Sequence, residues 1–236
     1  MNKLWTFGDS FTESYVPKKN VPNHWRHKYI ELKGYETKVY PEFIAEKLNL
    51  NLVNKGKGGC DNSFMFEEFC KVVSNIKKND IVIFGWTDVN RFRLFNKNNE
   101  CGFFNAGSIE KGDEFFSHKP LDTFEFLSEK TIKEMIINRD SEMFIYELSN
   151  WIQLINFSLK DVNIIHWSWD KQNSICKNMI ISPNYETIKN ETKGFIDDTH
   201  WSENGHRMFS EYMINQLNKK HRKDENIFIK KHNGLI

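Results

Sequence analysis

No stretch of the chain is apolar for long enough to cross a bilayer, and its first residues lack the basic segment and long apolar run of a secretory leader. The expectation is a soluble protein, either cytoplasmic or released by lysis as a phage-encoded protein would be. Cysteine is scarce. Cys60, Cys70, Cys101 and Cys176 show neither paired spacing nor a CxxC, so neither a disulfide framework nor a zinc knuckle is indicated, and reduced, partly buried thiols are expected. An excess of one charge is also missing: Lys+Arg 33 against Asp+Glu 32 gives a formal net charge of +1. Without a broad electrostatic field, neither nucleic acid nor an anionic membrane is an expected partner. No Pro-, Gly- or Ser-rich linker, internal repeat or low-complexity segment divides the 236 residues. They read as a single domain over 1–218 with an insertion at about 92–140, followed by a basic tail at 219–236.

What the sequence does have is an apolar run that breaks early. Leu4-Trp5-Thr6-Phe7 stops at Gly8 and delivers Asp9 and Ser10 within ten residues of the start. A strand ending on such a turn holds a hydroxyl and the next backbone N–H at the carboxyl edge of a sheet, where open α/β folds bind ligands. A serine hydroxyl is inert at neutral pH unless a base takes its proton and N–H donors meet the developing oxyanion. Ser10 as a nucleophile therefore calls for a histidine and a carboxylate elsewhere, and Asp197-Asp198-Thr199-His200 supplies them near the other end.

Between these ends, strand and helix patterns alternate. Lys3–Phe7 reads as a short buried strand. The segment from Glu13 to Tyr35, with Pro17, Pro22 and Gly34, reads as irregular. Pro41 to Leu48 predicts a helix with Pro in its first turn, and Asn51–Asn54 a second strand running into Gly56-Lys57-Gly58-Gly59. Asn62 to Lys78 carries Met65, Phe66, Phe69, Val72, Val73 and Ile76 at helical spacing, and Ile81–Phe84 is a third strand ending at Gly85. From Phe92 to Asp140 the alternation lapses into loop, with a helix at Leu127–Ile137; its Phe95, Phe103, Phe104, Phe115 and Phe116 either line a groove or form a satellite core. A helix from Ser141 to Leu159 precedes a fourth strand, Val162–Trp167. Met179–Ile181 and Gly194–Ile196 compete to be the fifth, and Ser202 caps a closing helix that runs to Leu217.

Gly8-Asp9-Ser10, Asn54 followed by Gly58-Gly59, the strand ending at Gly85, and Asp197-x-x-His200 followed by Gly205 together resemble the SGNH (GDSL-type) hydrolase superfamily. The resemblance spans roughly residues 1–90 and 140–218. It implies a three-layer α/β/α sandwich around a mostly parallel, flavodoxin-like sheet of about five strands, and a serine esterase that needs neither metal nor organic cofactor. In that reading Ser10 attacks, His200 is general base and then acid, and Asp197 orients it, with Asp198 as fallback. The oxyanion would meet the backbone N–H groups of Ser10 and Gly59, with Gly58 as the alternative if the loop shifts by one.

The family's side-chain donor is usually the asparagine of a Gly-x-Asn-Asp pattern, and here the sequence is Gly85-Trp86-Thr87-Asp88. Either Thr87 donates with shorter reach, or it caps its own backbone and Asn90 or Asn62 substitutes. Asn62, Asn90 and Arg91 are candidate substrate contacts; Arg91 and Arg93 either bind an anionic substrate group or make ordinary surface pairs. Asp9 is expected to tie down the serine turn, and Cys60 to be a small buried thiol. His24-Trp25-Arg26-His27 has metal-like spacing without a carboxylate or cysteine partner, so no metal is expected. The expected substrate is a small-molecule or glycan ester with a short acyl group, such as an acetylated sugar. The alternatives are a non-catalytic glycan-binding or structural module on the same fold, and a lipase- or thioesterase-type hydrolase. The oligomeric state is open.

Overall fold

Lys3–Gly8 forms β1, a buried strand whose Trp5 and Phe7 face one apolar cluster while Leu4 and Thr6 are buried on the opposite side. The computed structural model describes residues 1–14, 38–95, 98, 101–105, 131, 134, 141–182 and 201–232. After β1 come α1 (Tyr40–Leu48), β2 (Asn51–Asn54), α2 (Asn62–Val72), β3 (Ile81–Trp86), β4 (Arg91–Phe95), β5 (Cys101–Asn105), α3 (Ser141–Ser158), β6 (Asn163–Ser168), β7 (Met179–Ile181) and α4 (Glu203–His232). Short 3-10 turns follow α2 at Val73–Asn75 and β6 at Lys171–Ile175.

Five strands form one sheet in the order β2-β1-β3-β6-β7. Gly8 pairs with Gly85, Gly85 with Trp167 and Trp86 with Ser168, all in parallel register, so the chain leaves β1, β3 and β6 at one edge. With right-handed crossovers this 2-1-3-4-5 order is the doubly wound, flavodoxin-like topology of a three-layer α/β/α sandwich, as expected. The fifth strand is Met179–Ile181, paired with β6; Gly194–Ile196 lies outside the described residues.

Contacts divide the chain into two units. The larger comprises Asn2–Glu13 and Val53–Tyr185. Its core stacks Phe7 on Phe84 at 4.7 Å and Phe84 on Trp86 at 4.9 Å, sealed by Met65 and Phe69 from α2 and by Leu148, Ile152 and Ile155 from α3. Each such side chain contributes about 1.5–3 kcal/mol by leaving water. His166 is buried beside this core: its Nδ1 accepts the Trp86 indole N–H at 3.1 Å, and its Nε2 lies 3.4 Å from Asn156 Oδ1. Asp80 clamps the starts of β1 and β3 by accepting the Lys3 N–H (2.8 Å), the Trp5 indole N–H (2.9 Å) and the Lys77 N–H (3.0 Å).

The smaller unit comprises Met1, Ser14–Leu52 and Glu186–Ile236. In it α1, with Pro41 in its first turn, packs on α4 through Tyr40 against Phe209, rings 5.1 Å apart edge to face. Ser202 caps α4 as expected, its hydroxyl accepting the Gly205 N–H at 3.2 Å. The helix does not close near Leu217; it continues to His232, through the stretch read as a basic tail.

Two further sequence expectations are corrected. The segment after β3 is not loop at once, because β4 and β5 pair as an antiparallel hairpin with Leu94 opposite Gly102. Phe103 of β5 then joins the core against Phe64 (5.6 Å, edge to face), a placement set by its pairing with Arg93 of β4 rather than by the pattern of its own short strand. Likewise α2 ends at Val72 and tightens into a 3-10 turn rather than running to Lys78. Among the described residues no helix is long and apolar enough to cross a membrane.

Candidate active site

Past Gly8 the backbone turns through Asp9-Ser10-Phe11-Thr12-Glu13, with the Thr12 and Glu13 N–H groups both on the Asp9 carbonyl (2.9 and 3.0 Å). The turn is forced by packing. A Cβ on Gly8 would lie 2.1 Å from Thr12 Oγ1, and one on Gly85 3.0 Å from the same atom, so Thr12 folds back over two paired glycines. Ser10 is left half-buried, and no described residue bonds its hydroxyl or its N–H.

Asp9 is the anchor beneath it, 1% exposed. Its Oδ1 accepts the Phe11 N–H at 3.1 Å, the turn-tying role expected. Its Oδ2 gathers the Thr87 hydroxyl (2.9 Å), the Trp169 indole N–H (3.0 Å) and the Arg91 guanidinium (3.3 Å), drawing the ends of β1, β3 and β6 together. Arg91 also lies over the Trp169 ring at 5.7 Å. The one hydroxyl proton of Thr87 thus goes to a carboxylate. Arg93, in turn, pairs with Glu67 at 2.7 Å. Nothing in the sequence marked Trp169, whose donor reaches Asp9 only through strand register.

The glycine loop after β2 is stapled onto the serine turn. Asn54 donates to the Thr12 carbonyl (2.6 Å) and accepts the Gly56 N–H (2.8 Å), while Lys57 N–H bonds the Gly8 carbonyl at 2.9 Å. A Cβ on Gly56 would come within 2.5 Å of the Glu13 nitrogen, so only glycine allows this approach. Glu13, which sequence reasoning missed because its segment looked irregular, accepts the Gly58 N–H at 2.8 Å. Gly58 also lies against Ser10, a Cβ there falling 3.7 Å from Ser10 Cβ. Gly59 then takes φ 72°, and among the described residues its N–H has no acceptor. Cys60, next along, is fully buried with its thiol on the Gly8 carbonyl; burial and the nearby Asp9 charge push that thiol well above its usual pKa, as in the small buried thiol expected from the sequence.

Asn62 opens α2 under the Asp61 cap, whose side chain accepts the Phe64 N–H at 2.8 Å. The Asn62 amide faces the Thr87 peptide, accepting its N–H (2.9 Å) and donating to its carbonyl (3.1 Å). Its second amide hydrogen has no acceptor among the described residues. Asn173 also donates to the Thr87 carbonyl, at 3.0 Å. The Asn90 N–H closes a turn on Asp88 at 2.8 Å, and no described residue bonds its side chain. Beside Asn62 and Arg91 opens a cavity of about 270 Å³, with Asp61, Phe95, Glu147 and Trp151 among its walls. Asp197, Asp198 and His200 lie outside the described residues, as does His24-Trp25-Arg26-His27.

The fold and this edge define a doubly wound parallel α/β protein that presents a serine turn, a glycine loop and a strand-end asparagine contact on one rim. No family model matches the chain. In structure it is similar to a lipolytic protein of the G-D-S-L family from Veillonella parvula (10% identity, 91% of this chain and 97% of that one, TM-score 0.42). It is similar also to the psychrotrophic esterase EstA from Pseudoalteromonas (8%, 94% and 100%, TM-score 0.46). A third similar structure is a variant of the acetylxylan esterase Axe2 from Geobacillus stearothermophilus (11%, 92% and 94%, TM-score 0.35). In sequence, Lipase 1 of Photorhabdus luminescens is 38% identical over 58 residues, a match covering 25% of this chain and 8% of that protein.

Proposed function

We propose that the protein is a serine hydrolase of carboxylic esters. Ser10 attacks the acyl carbon, His200 takes the hydroxyl proton and returns it to the leaving alcohol, and Asp197 holds the imidazole in the required tautomer. An acyl-Ser10 intermediate forms and water releases it. The oxyanion is held by the N–H groups of Ser10 and Gly59 and by the amide of Asn62.

The observation that carries this reading is the set of open donors on the strand-end rim that bears Ser10. Gly58 N–H is committed to Glu13, whereas the Ser10 and Gly59 N–H groups and one Asn62 hydrogen have no acceptor among the described residues. Donors left open in a structured loop beside a serine suit an anion that exists only during reaction. Asn62 supplies the carboxamide absent at Thr87, from the helix side of the same rim. The cavity beside it, mixing carboxylates, arginines and aromatic faces, suits the alcohol part of a sugar ester, with a short acyl group on Ser10.

The deciding experiment combines short-chain ester turnover with fluorophosphonate labelling of wild type and Ser10→Ala. Expected are turnover and a label, both lost in the variant. A folded wild type with neither sinks the enzyme reading. In that event the second reading stands, a binding module on the same fold, favoured by the Thr87 hydroxyl being committed to Asp9. A panel of acetylated sugars against long-chain acyl esters and thioesters tests the substrate class; turnover of only the latter two overturns the sugar-ester choice.

A further inference from the structure

On the outer side of α3, four large apolar side chains stand in water: Met143 is 68% exposed, Tyr146 70%, Leu154 53% and Phe157 81%. Together with exposed Asn150 they advance by three, four, four and three residues, so all five lie on one helical stripe. The buried face of the same helix, Leu148, Ile152 and Ile155, is elsewhere, so among the described residues the stripe takes no part in the core. Contiguous exposed apolar surface of this kind marks an interaction site.

The stripe has the same spacing in both directions about Asn150. We infer that it is a homodimer interface in which α3 packs antiparallel on α3 of a second copy, with the two-fold axis at Asn150. That operation sets Met143 against Phe157 of the other copy and Tyr146 against its Leu154, at both ends of the contact, as a self-complementary interface requires. Asn150, the one carboxamide of the five, meets its own copy at the axis. Each amide there donates to and accepts from the other, and a polar pair of this kind fixes register where a wholly apolar stripe would slide. The flanking charges agree: Glu147 meets the uncharged Gln153, and Glu142 comes within a turn of Lys160, so no acidic pair is forced together. A contact of this length covers roughly 1,000 Å² in total, the low end for specific association.

The test is sedimentation equilibrium of the 236-residue chain over a concentration series, with Leu154→Glu and Tyr146→Arg as separate variants and circular dichroism to verify that each is folded. Expected is a reversible rise from 28.2 kDa toward twice that mass, weakened at least tenfold by either variant. In a Cys70→Ser background, which removes the exposed thiol, Asn150→Cys should cross-link to a dimer under mild oxidation by glutathione disulfide. A wild type that stays monomeric at about 0.2 mM overturns the inference, as does a dimer that ignores both substitutions or fails to cross-link. So does a monomer in which Leu154→Glu speeds proteolysis within 106–140, since another part of the chain would then occupy the face.

Discussion

Glu13 holds the Gly58 N–H at 2.8 Å, and this bond separates two adjacent glycines into one whose N–H is occupied and one whose N–H has no acceptor among the described residues. The consequence reaches the chemistry proposed for Ser10. Glu13→Gln keeps an acceptor for Gly58, whereas Glu13→Ala frees the loop. Glu13→Ala is expected to lower kcat on a short-chain ester by about tenfold or more with a small change in KM, and Glu13→Gln to restore most of it. Equal effects of the two substitutions would remove Glu13 from loop positioning.

Gly59 sits at φ 72°, where a side chain costs about 1–2 kcal/mol. Gly59→Ala should lose roughly that much stability by urea unfolding. It should also reduce kcat on the same ester more than the same substitution at Gly58 does, because of these two glycines only Gly59 is proposed to turn its N–H to the oxyanion. A larger kinetic loss at Gly58 would reverse the assignment.

Asn62→Asp keeps the shape and still accepts the Thr87 N–H, but it cannot donate and it brings negative charge to the rim. A loss of about 10²–10³ in kcat is expected, with fluorophosphonate labelling slowed in parallel. Near-normal kcat in Asn62→Asp would return the search for the third donor to Asn90.

Thr87→Val removes one of the donors on the buried Asp9 carboxylate. Leaving that charge one bond short should cost about 1.5–3 kcal/mol of stability, read as a lower thermal midpoint. Per folded molecule, ester turnover should stay within about tenfold of wild type. A variant as stable as wild type but inactive would make Thr87 a catalytic donor after all.

Acid stability should depend on Asp80. Burial pushes its carboxyl up, but the bonds from the Lys77 N–H, the Trp5 indole and the Lys3 N–H, with the Lys3 charge, outweigh this and hold it below its usual value. Because the folded value lies under the unfolded one, the contribution is complete above about pH 4 and is lost as pH falls through the folded value. Asp80→Asn should therefore be less stable than wild type at pH 7, by about 2 kcal/mol, with the gap closing in acid. A gap that is constant with pH would show that the carboxylate charge is not what matters.

Strand β2, at Asn51–Asn54, and the breaks of β1 at Gly8 and of β3 at Gly85 were legible from the chain alone, because short apolar runs cut by glycine leave few other options; that the two glycines face each other was not. So were α3 and its inward residues, set by helical periodicity, and Ser202 as the cap of α4. Phe103 was not legible as core, since its burial depends on a hairpin partner, and neither was the length of α4, whose second half lacks an apolar stripe.

The sequence by itself determined the alternation of strand and helix and the placing of Ser10, Gly59 and Thr87 beyond strand ends, because periodicity and glycine act locally; the doubly wound strand order was implied only by the family resemblance. Which N–H is occupied, where the Thr87 proton goes and which amide stands beside it were decided only by the tertiary structure. Those outcomes turn on Glu13, Asp9 and Asn62, which meet their partners across 45, 78 and 25 residues of chain. A hydrogen bond over such a span is fixed by strand register and loop packing, and neither is written in the neighbouring residues.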